Sequence, residues 1–370
     1  MKILCFASCS FGLEAVVANE LIAMGAEPSA RDARVYFEAD EALLARANIR
    51  LSAADRVYIV LDEFTATTFE ELFEGVRAID WSEWLDRHSV FPVLGDSVRS
   101  VLKSVPDIQS ISKKAIVESL KASYNLNFFK EDGIKKSIYV SILADRVTVA
   151  INASGIGLNR RGYRLRNVPA PLRENLAAGL IKLTRWYDRP FYDIMCGGGT
   201  IAIEAALQAK HEAPGLKREF DFTEWNDAFK AAYRAEREQA LSEIIAKPDV
   251  LIFASDIDEK TLNVAKFHAR RAGVLDMIRF SVADARNFSP ETDCGTIITN
   301  PPYAVRLNTK DDAHALYAEL GARLERLKNF KFYIICADDK FENHFGIKAD
   351  KKRKLYNGNI KCCYYQYFRR

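Results

Sequence analysis

Apolar and polar positions change rhythm near residue 171. Before it, through residue 62, the order reads strand, helix, strand, helix, strand: "KILCFA", "GLEAVVANELIAMG", "ARVYFEA", "EALLARANIRL" and "DRVYIVLDEF". Alternating runs separated by stretches of helical period predict a small α+β unit over 1–62. A second unit, 63–154, opens with a Thr-x-x-Glu capping signal in "TTFEELFEGVRAIDWSEWL" and continues with the amphipathic helix "QSISKKAIVESLKASY". It ends in "KSIYVSILADRVTVAINAS", which alternates on either side of Asp145-Arg146 as a hairpin does.

A Gly- and Arg-rich stretch, 155–171, forms the boundary, and 172–370 then alternates strands with helices. The helix "LRENLAAGLIKLTRWY" precedes the strand "FYDIM", a glycine turn and the helix "TIAIEAALQAK". Strands "VLIFASDID", "MIRFSVAD", "GTIIT" and "KFYIICAD" follow, with helices predicted over 259–272 and 312–327. This order predicts a doubly wound parallel sheet whose ligands bind at the carboxyl ends of its strands. The tail "KRKLYNGNIKCCYYQYF" predicts a hairpin turning at Asn357-Gly358. The charged helical insertion between 208 and 249 reads as a solvated face.

Composition narrows the class. A 370-residue chain that is 49% hydrophobic and 28% charged is long enough for two or three globular domains. No run of 18 apolar residues occurs, so no membrane partner is expected. Lys2 precedes an apolar run too short for a leader, and Glu14 and Glu20 follow on an amphipathic pattern; a first strand and helix are expected instead. Seven cysteines without a CxxC pair or histidine cluster point to reduced thiols in the cytoplasm and to no metal site. The net charge of +3 is uninformative, but 154–173 holds five arginines and no acid. Such a run is either a solvated linker or a phosphate-contacting stripe; the second reading makes Arg160, Arg161, Arg164 and Arg166 candidate substrate-binding residues.

"DIMCGGGTIAIEAA" is a strand, a glycine turn and a helix start. The glycines admit a close ligand, and the helix N-terminus supplies free N–H groups. Gly197, Gly199 and Ala202 also satisfy the dinucleotide fingerprint G-x-G-x-x-A. Against that reading, the next strand-end acid, Asp256, stands 59 positions after Gly197, and Asp193 would repel a pyrophosphate. A sulfonium and an ammonium would be attracted there, which favours S-adenosylmethionine. Asp256 is then placed for the ribose hydroxyls and Asp284 for the adenine amine.

"GTIITNPPYAVRL" joins a β-branched strand to Asn300-Pro301-Pro302-Tyr303. Two prolines make a stiff turn, apt to hold groups in place. The Asn300 side-chain oxygen and the Pro301 carbonyl can accept both hydrogens of an exocyclic base amine, and Tyr303 can stack on the extruded base.

At these residues the chain resembles the THUMP-domain RNA methyltransferases that modify the exocyclic amine of guanosine, in particular the first half of the fused bacterial enzymes acting on large-subunit ribosomal RNA; their second catalytic half has no counterpart here. "FASCSFGLEAVVANEL", "NRRGYRLRNVPAPLRENLAAGL", "DIMCGGGTIAIEAA", "ASDID", "NPPYAVRL" and "KLYNGNIKCCYY" fall in the family's order. The resemblance implies a ferredoxin-like domain, a THUMP RNA-binding domain and a seven-stranded class I (Rossmann-like) methyltransferase sheet. It carries cofactor roles to Asp193, Gly197, Gly199, Asp256 and Asp284, with Cys196, Thr200 and Ile257 beside them, and the base-amine role to Asn300 through Tyr303. Ile194 and Ala304 stand where the family often has proline and glycine. Guanine N2 of ribosomal RNA is the expected target. Transfer RNA, and adenine N6 in DNA or RNA, are the alternatives, and no obligate protein partner is expected. A non-catalytic RNA-binding factor is the rival of a different class, disfavoured by the intact set of strand-end acids and Asn300.

Overall fold

The computed structural model describes residues 2–166, 171–186, 188–302 and 310–368. Its amino-terminal part runs β1 (Ile3–Cys9), α1 (Glu14–Ala23), β2 (Ser29–Arg31), β3 (Arg34–Ala39), α2 (Glu41–Arg50), β4 (Ala54–Thr65), α3 (Phe69–Ala78), β5 (Val93–Val98), α4 (Val105–Tyr124), β6 (Ile138–Leu143) and β7 (Arg146–Asn152). The capping signal works as its chemistry requires. Thr68 Oγ1 accepts from Glu71 N at 3.2 Å, and the Glu71 carboxylate accepts from Thr68 N at 3.1 Å. The β6–β7 turn falls at Ala144-Asp145, both at positive φ (48° and 65°), one residue before its expected place.

All seven strands form one sheet, ordered β2-β3-β1-β4-β7-β6-β5. The long strand β4 pairs with β1 on one side (Cys5↔Ile59) and with β7 on the other (Thr65↔Arg146). The two amino-terminal units therefore share a sheet, and the junction expected at residue 62 falls inside β4.

The remaining elements are α5 (Glu174–Thr184), β8 (Phe191–Asp193), α6 (Thr200–Ala209), α7 (Asp227–Ser242), β9 (Ile252–Asp256), α8 (Glu259–Ala272), β10 (Ile278–Val282), β11 (Gly295–Thr299), α9 (Lys310–Glu325), β12 (Phe330–Cys336), α10 (Phe341–Phe345), β13 (Lys351–Asn357) and β14 (Ile360–Tyr367). Their strands form a second seven-stranded sheet, β10-β9-β8-β11-β12-β14-β13. The first five are parallel; β14 and β13 complete the sheet in antiparallel pairing. Every residue of β11 is buried, as a β-branched strand covered on both faces should be. The chain winds outward in both directions from β8, and the crevice at such a switch point is where an open α/β sheet binds ligands.

The insertion differs from its reading as a solvated face. Helix α7 packs on α2 and buries Phe229, Glu236 and Ala240. Glu236 is 5% exposed and accepts from Arg46 Nε at 2.9 Å and from Arg50 Nε. Its cations come from a helix nearly 190 positions earlier, so the segment braces the amino-terminal module against the second sheet. Among the described residues no helix is long and apolar enough to cross a membrane.

Candidate active site

Beyond the carboxyl ends of β8, β9, β10 and β11 lies a cavity of about 760 Å³. Asp193, Cys196, Gly197, Thr200, Asp256, Ile257, Asp284, Asn300 and Pro302 all line it, so residues read separately from four strand ends share one wall. Tyr303 lies outside the described residues.

Asp193 is the floor. It is 1% exposed, and neither carboxylate oxygen has a partner in hydrogen-bonding geometry. Burial, and next the nearby Asp256, push its pKa well above the ordinary carboxylate value; the Met195 amide and Thr299 hydroxyl, near it but outside hydrogen-bonding geometry, offset only part of this. An orphaned buried carboxylate is costly unless a cation meets it. Asp256 Oδ2 accepts from Gly197 N at 2.8 Å and its Oδ1 from Asp258 N at 3.0 Å, which ties the β9 end to the glycine turn. Gly197 has φ +51°, and a Cβ there would meet no atom within 4 Å, so the turn presents bare backbone to the cavity.

Gly199 has another job than the expected one. It caps α6 at φ +81°, and a Cβ there would come within 3.0 Å of Ala265 on α8. Its small size serves helix packing behind the cavity. Pro301 is likewise buried behind the wall rather than in it. The Pro302 carbonyl accepts from Tyr317 Oη at 3.1 Å, an anchor on α9 that the motif alone did not reveal.

Asp284 is more committed than expected. Its oxygens accept from Arg286 N at 3.0 Å and from Arg286 Nε and Nη2 at 2.8 and 2.5 Å, and Arg286 holds its pKa below the usual carboxylate value. Arg286 therefore joins the lining. So do Asp312, Ala315, Leu316 and Glu319, spaced along one face of α9; helical periodicity could have found them.

The arginine run divides. Arg160 and Arg166 are exposed, and Arg166 lies over the Phe267 ring at 4.1 Å. Arg161 is 5% exposed; it donates to the Leu158 and Ser52 carbonyls and sits 3.5 Å from the buried Glu204. Arg164 donates to Leu172 O at 2.8 Å and pairs with Glu174 at 3.2 Å. These two guanidiniums are spent inside the protein, which corrects their reading as phosphate contacts. Arg161→Gln should cost about 1–3 kcal/mol of stability, because Glu204 is left buried without its cation. Arg160→Gln should leave stability within about 0.5 kcal/mol. If Arg160 meets a single-strand phosphate, that change also flattens the salt dependence of RNA binding by about 0.7 in log–log slope. Chemical denaturation and salt-titrated binding check both.

Next to this run, His268 ties the boundary stretch to the glycine turn. Its Nε2 accepts from Arg166 N at 3.3 Å, so the proton sits on Nδ1 and is donated to Gly198 O at 3.0 Å. Burial lowers its pKa and favours this neutral form.

A class I methyltransferase sheet with a Gly-rich turn, an orphaned floor carboxylate and Asn-Pro-Pro at the fourth strand end defines the class of protein. Comparisons agree: an RMKL-like methyltransferase domain matches residues 161–366, an RlmL ferredoxin-like domain 5–58 and a THUMP domain 66–152. The chain belongs to the RMKL-like methyltransferase family, whose methyl donor, and that of this chain, is S-adenosylmethionine. It is 41% identical to YpsC of Bacillus subtilis (strain 168), whose name marks it as a candidate RNA methyltransferase, over 98% of this chain and 95% of that protein. It is 32% identical to the ribosomal RNA large subunit methyltransferase K/L of Shewanella baltica (strain OS185) over 97% of its own length. It spans about half, 52%, of that relative. A solved candidate methyltransferase complexed with SAH superposes at TM-score 0.92 with 38% identity, covering 99% of this chain and 98% of that one. A predicted N6-adenine-specific DNA methylase from Listeria monocytogenes str. 4b F2365 superposes at 0.90 with 40% identity, covering 100% and 96%.

Proposed function

We propose that this protein methylates the exocyclic N2 of a guanosine in large-subunit ribosomal RNA. One observation carries the reading: Asn300 and Pro302 line the same cavity as the orphaned Asp193 carboxylate. An amine acceptor and a cation acceptor thus face one space large enough for a methyl donor. The similarity to ribosomal RNA methyltransferases K/L and the RNA-binding THUMP domain support RNA as the polymer.

The residues fit the donor. Asp193 would meet its positive charge, Asp256 its ribose hydroxyls and the Gly197 backbone its amino-acid part, with Asp284 and Arg286 at the adenine end. When bound, S-adenosylmethionine supplies a sulfonium methyl group that a nitrogen lone pair can displace. The protein must present that nitrogen. Asn300 Oδ1 would accept an amine hydrogen, aligning the lone pair and favouring the positive charge that develops on nitrogen. Tyr317 would keep the Pro302 carbonyl, and so the turn, in register. Tyr303 would stack on the extruded base.

The Listeria neighbour, named for adenine N6 in DNA, favours a second reading, since the tetrapeptide presents the same acceptors to either amine. Mapping modified nucleosides in cells lacking the gene tests both. Loss of one N2-methylguanosine from large-subunit ribosomal RNA is expected. Loss of N6-methyladenine would establish the second reading, and loss of a transfer-RNA methylguanosine would move the substrate.

A further inference from the structure

The tail motif "KLYNGNIK" has no part in the chemistry above, yet the sheet register places it over the site. β12 ends at Cys336, opposite Cys363 of β14, at the same end of the sheet as Asn300. β13 and β14 stay paired for three more positions, to Asn357↔Ile360. At about 3.4 Å per residue the hairpin tip overhangs the sheet by about 10 Å, roughly two strand spacings to the side of Asn300. The tip is fastened to the cavity rim: Asn357 Nδ2 donates to Pro171 O and Asn357 Oδ1 accepts from Arg173 N, both at 3.4 Å, and Pro171 and Leu172 line the cavity.

An exposed ring, a partly buried one and several cations meet on this overhang. Phe11, in the β1–α1 loop, is 53% exposed and meets Tyr356 edge to face, with ring centres 6.2 Å apart. Ile360 is 44% exposed beside it, and Lys354 Nζ lies 5.5 Å from the Tyr356 ring centre. Residues 351–361 carry five basic side chains and no acid. Carboxylates approach from elsewhere: Glu342 is 2.7 Å from Lys352, Asp339 is 3.8 Å from Lys361, and Asp55 is 3.7 Å from Arg173. An edge-to-face pair leaves ring faces open, and partly exposed aromatics among cations match nucleobases better than they match water.

We propose that Phe11 and Tyr356, with the β13–β14 tip, form a stacking platform for single-stranded nucleotides flanking the methylated base. The inference rests on the reading of RNA as substrate. It adds how the target is held: the strand lies on the amino-terminal loop and the tail hairpin while one base descends to Asn300. A duplex, whose bases are stacked on each other, gains nothing from open ring faces. The platform therefore selects a loop, a bulge or an opened helix.

The test compares fluorescent oligoadenylate, which offers phosphates and stacking faces, with inorganic polyphosphate, which offers phosphates alone. Phe11→Ala and Tyr356→Ala should each weaken oligoadenylate binding roughly five- to 150-fold. Polyphosphate and S-adenosylmethionine binding should stay unchanged, and Tyr356→Phe should bind as wild type. Unchanged oligoadenylate affinity, or equal losses on both polyanions, overturns the platform. Asn359→Asp places a negative charge at the exposed tip without disturbing the joint and must weaken oligoadenylate binding even if a ring variant folds poorly. A wild-type protein that binds oligoadenylate through these rings yet methylates no RNA would sink the proposed reaction instead. An enzyme that methylates RNA with ring variants of undiminished affinity would sink only the platform.

Discussion

Asn300→Ala is expected to lower the methyl-transfer rate by about 10²–10³ while leaving RNA and cofactor affinity within about threefold. An exocyclic amine is a weak nucleophile because its lone pair is delocalised into the ring. As the new bond forms, charge builds on nitrogen and its hydrogens become more acidic, so an acceptor oxygen at Asn300 binds more tightly in the transition state than before it. Interactions of that kind appear in the rate and not in ground-state affinity. The setting favours the effect, because Thr299 before it is buried and Pro302 after it is pinned by Tyr317. Little energy then has to be spent on arranging the oxygen at the moment of reaction. Single-turnover kinetics at saturating RNA and S-adenosylmethionine separate the two possibilities. A variant that turns over at the wild-type rate would reduce the motif to a turn.

What the sequence disclosed and concealed follows from the range of each signal. Strand ends and helix starts are local, so Asp193, Asp256, Asp284 and Asn300 could be placed at carboxyl ends, and the cavity gathers them. β5 was not legible: "VLGDSV" carries Gly95 and Ser97 where the face begun by Val93 would need apolar residues, and it is held as an edge strand by parallel pairing with β6. The three-residue β2 is too short to show a period. Charge runs mislead for a related reason. Residues 154–173 contain no acid, yet Arg161 and Arg164 are neutralised by Glu204 and Glu174, which lie on α6 and α5. The same holds for α7, whose Glu236 finds its arginines on α2. Partners brought together only by tertiary structure leave no mark on local composition. Gly199 shows the converse limit: the motif located the glycine, but a neighbouring helix, not the ligand, decides what its missing Cβ is for.

Asp193→Asn should make the cofactor-free protein more tolerant of rising pH and, in the same stroke, nearly abolish cofactor binding. Burial and Asp256 raise the Asp193 pKa in the folded protein, whereas in the unfolded chain the group titrates normally. Between the ordinary carboxylate value and the raised one, the folded state therefore holds a proton that the unfolded state has lost. Stability then falls as pH rises through that window. Asparagine carries no titrating proton, so this slope should disappear in the variant and stand out as the difference between variant and wild type. Binding has the opposite sign. A cationic donor needs the carboxylate ionised, so wild-type binding within the window must release a proton and tighten by up to tenfold per pH unit. With asparagine the donor's charge faces a neutral amide in a buried site. Truncating one partner of such a pair costs about 2–5 kcal/mol, or roughly 30- to 5,000-fold in affinity. Calorimetric titration in buffers of different ionisation enthalpy reads proton release and affinity together. Wild-type binding without proton uptake or release anywhere in the window, or an asparagine variant that binds S-adenosylmethionine as tightly as wild type, would remove Asp193 from the cofactor site.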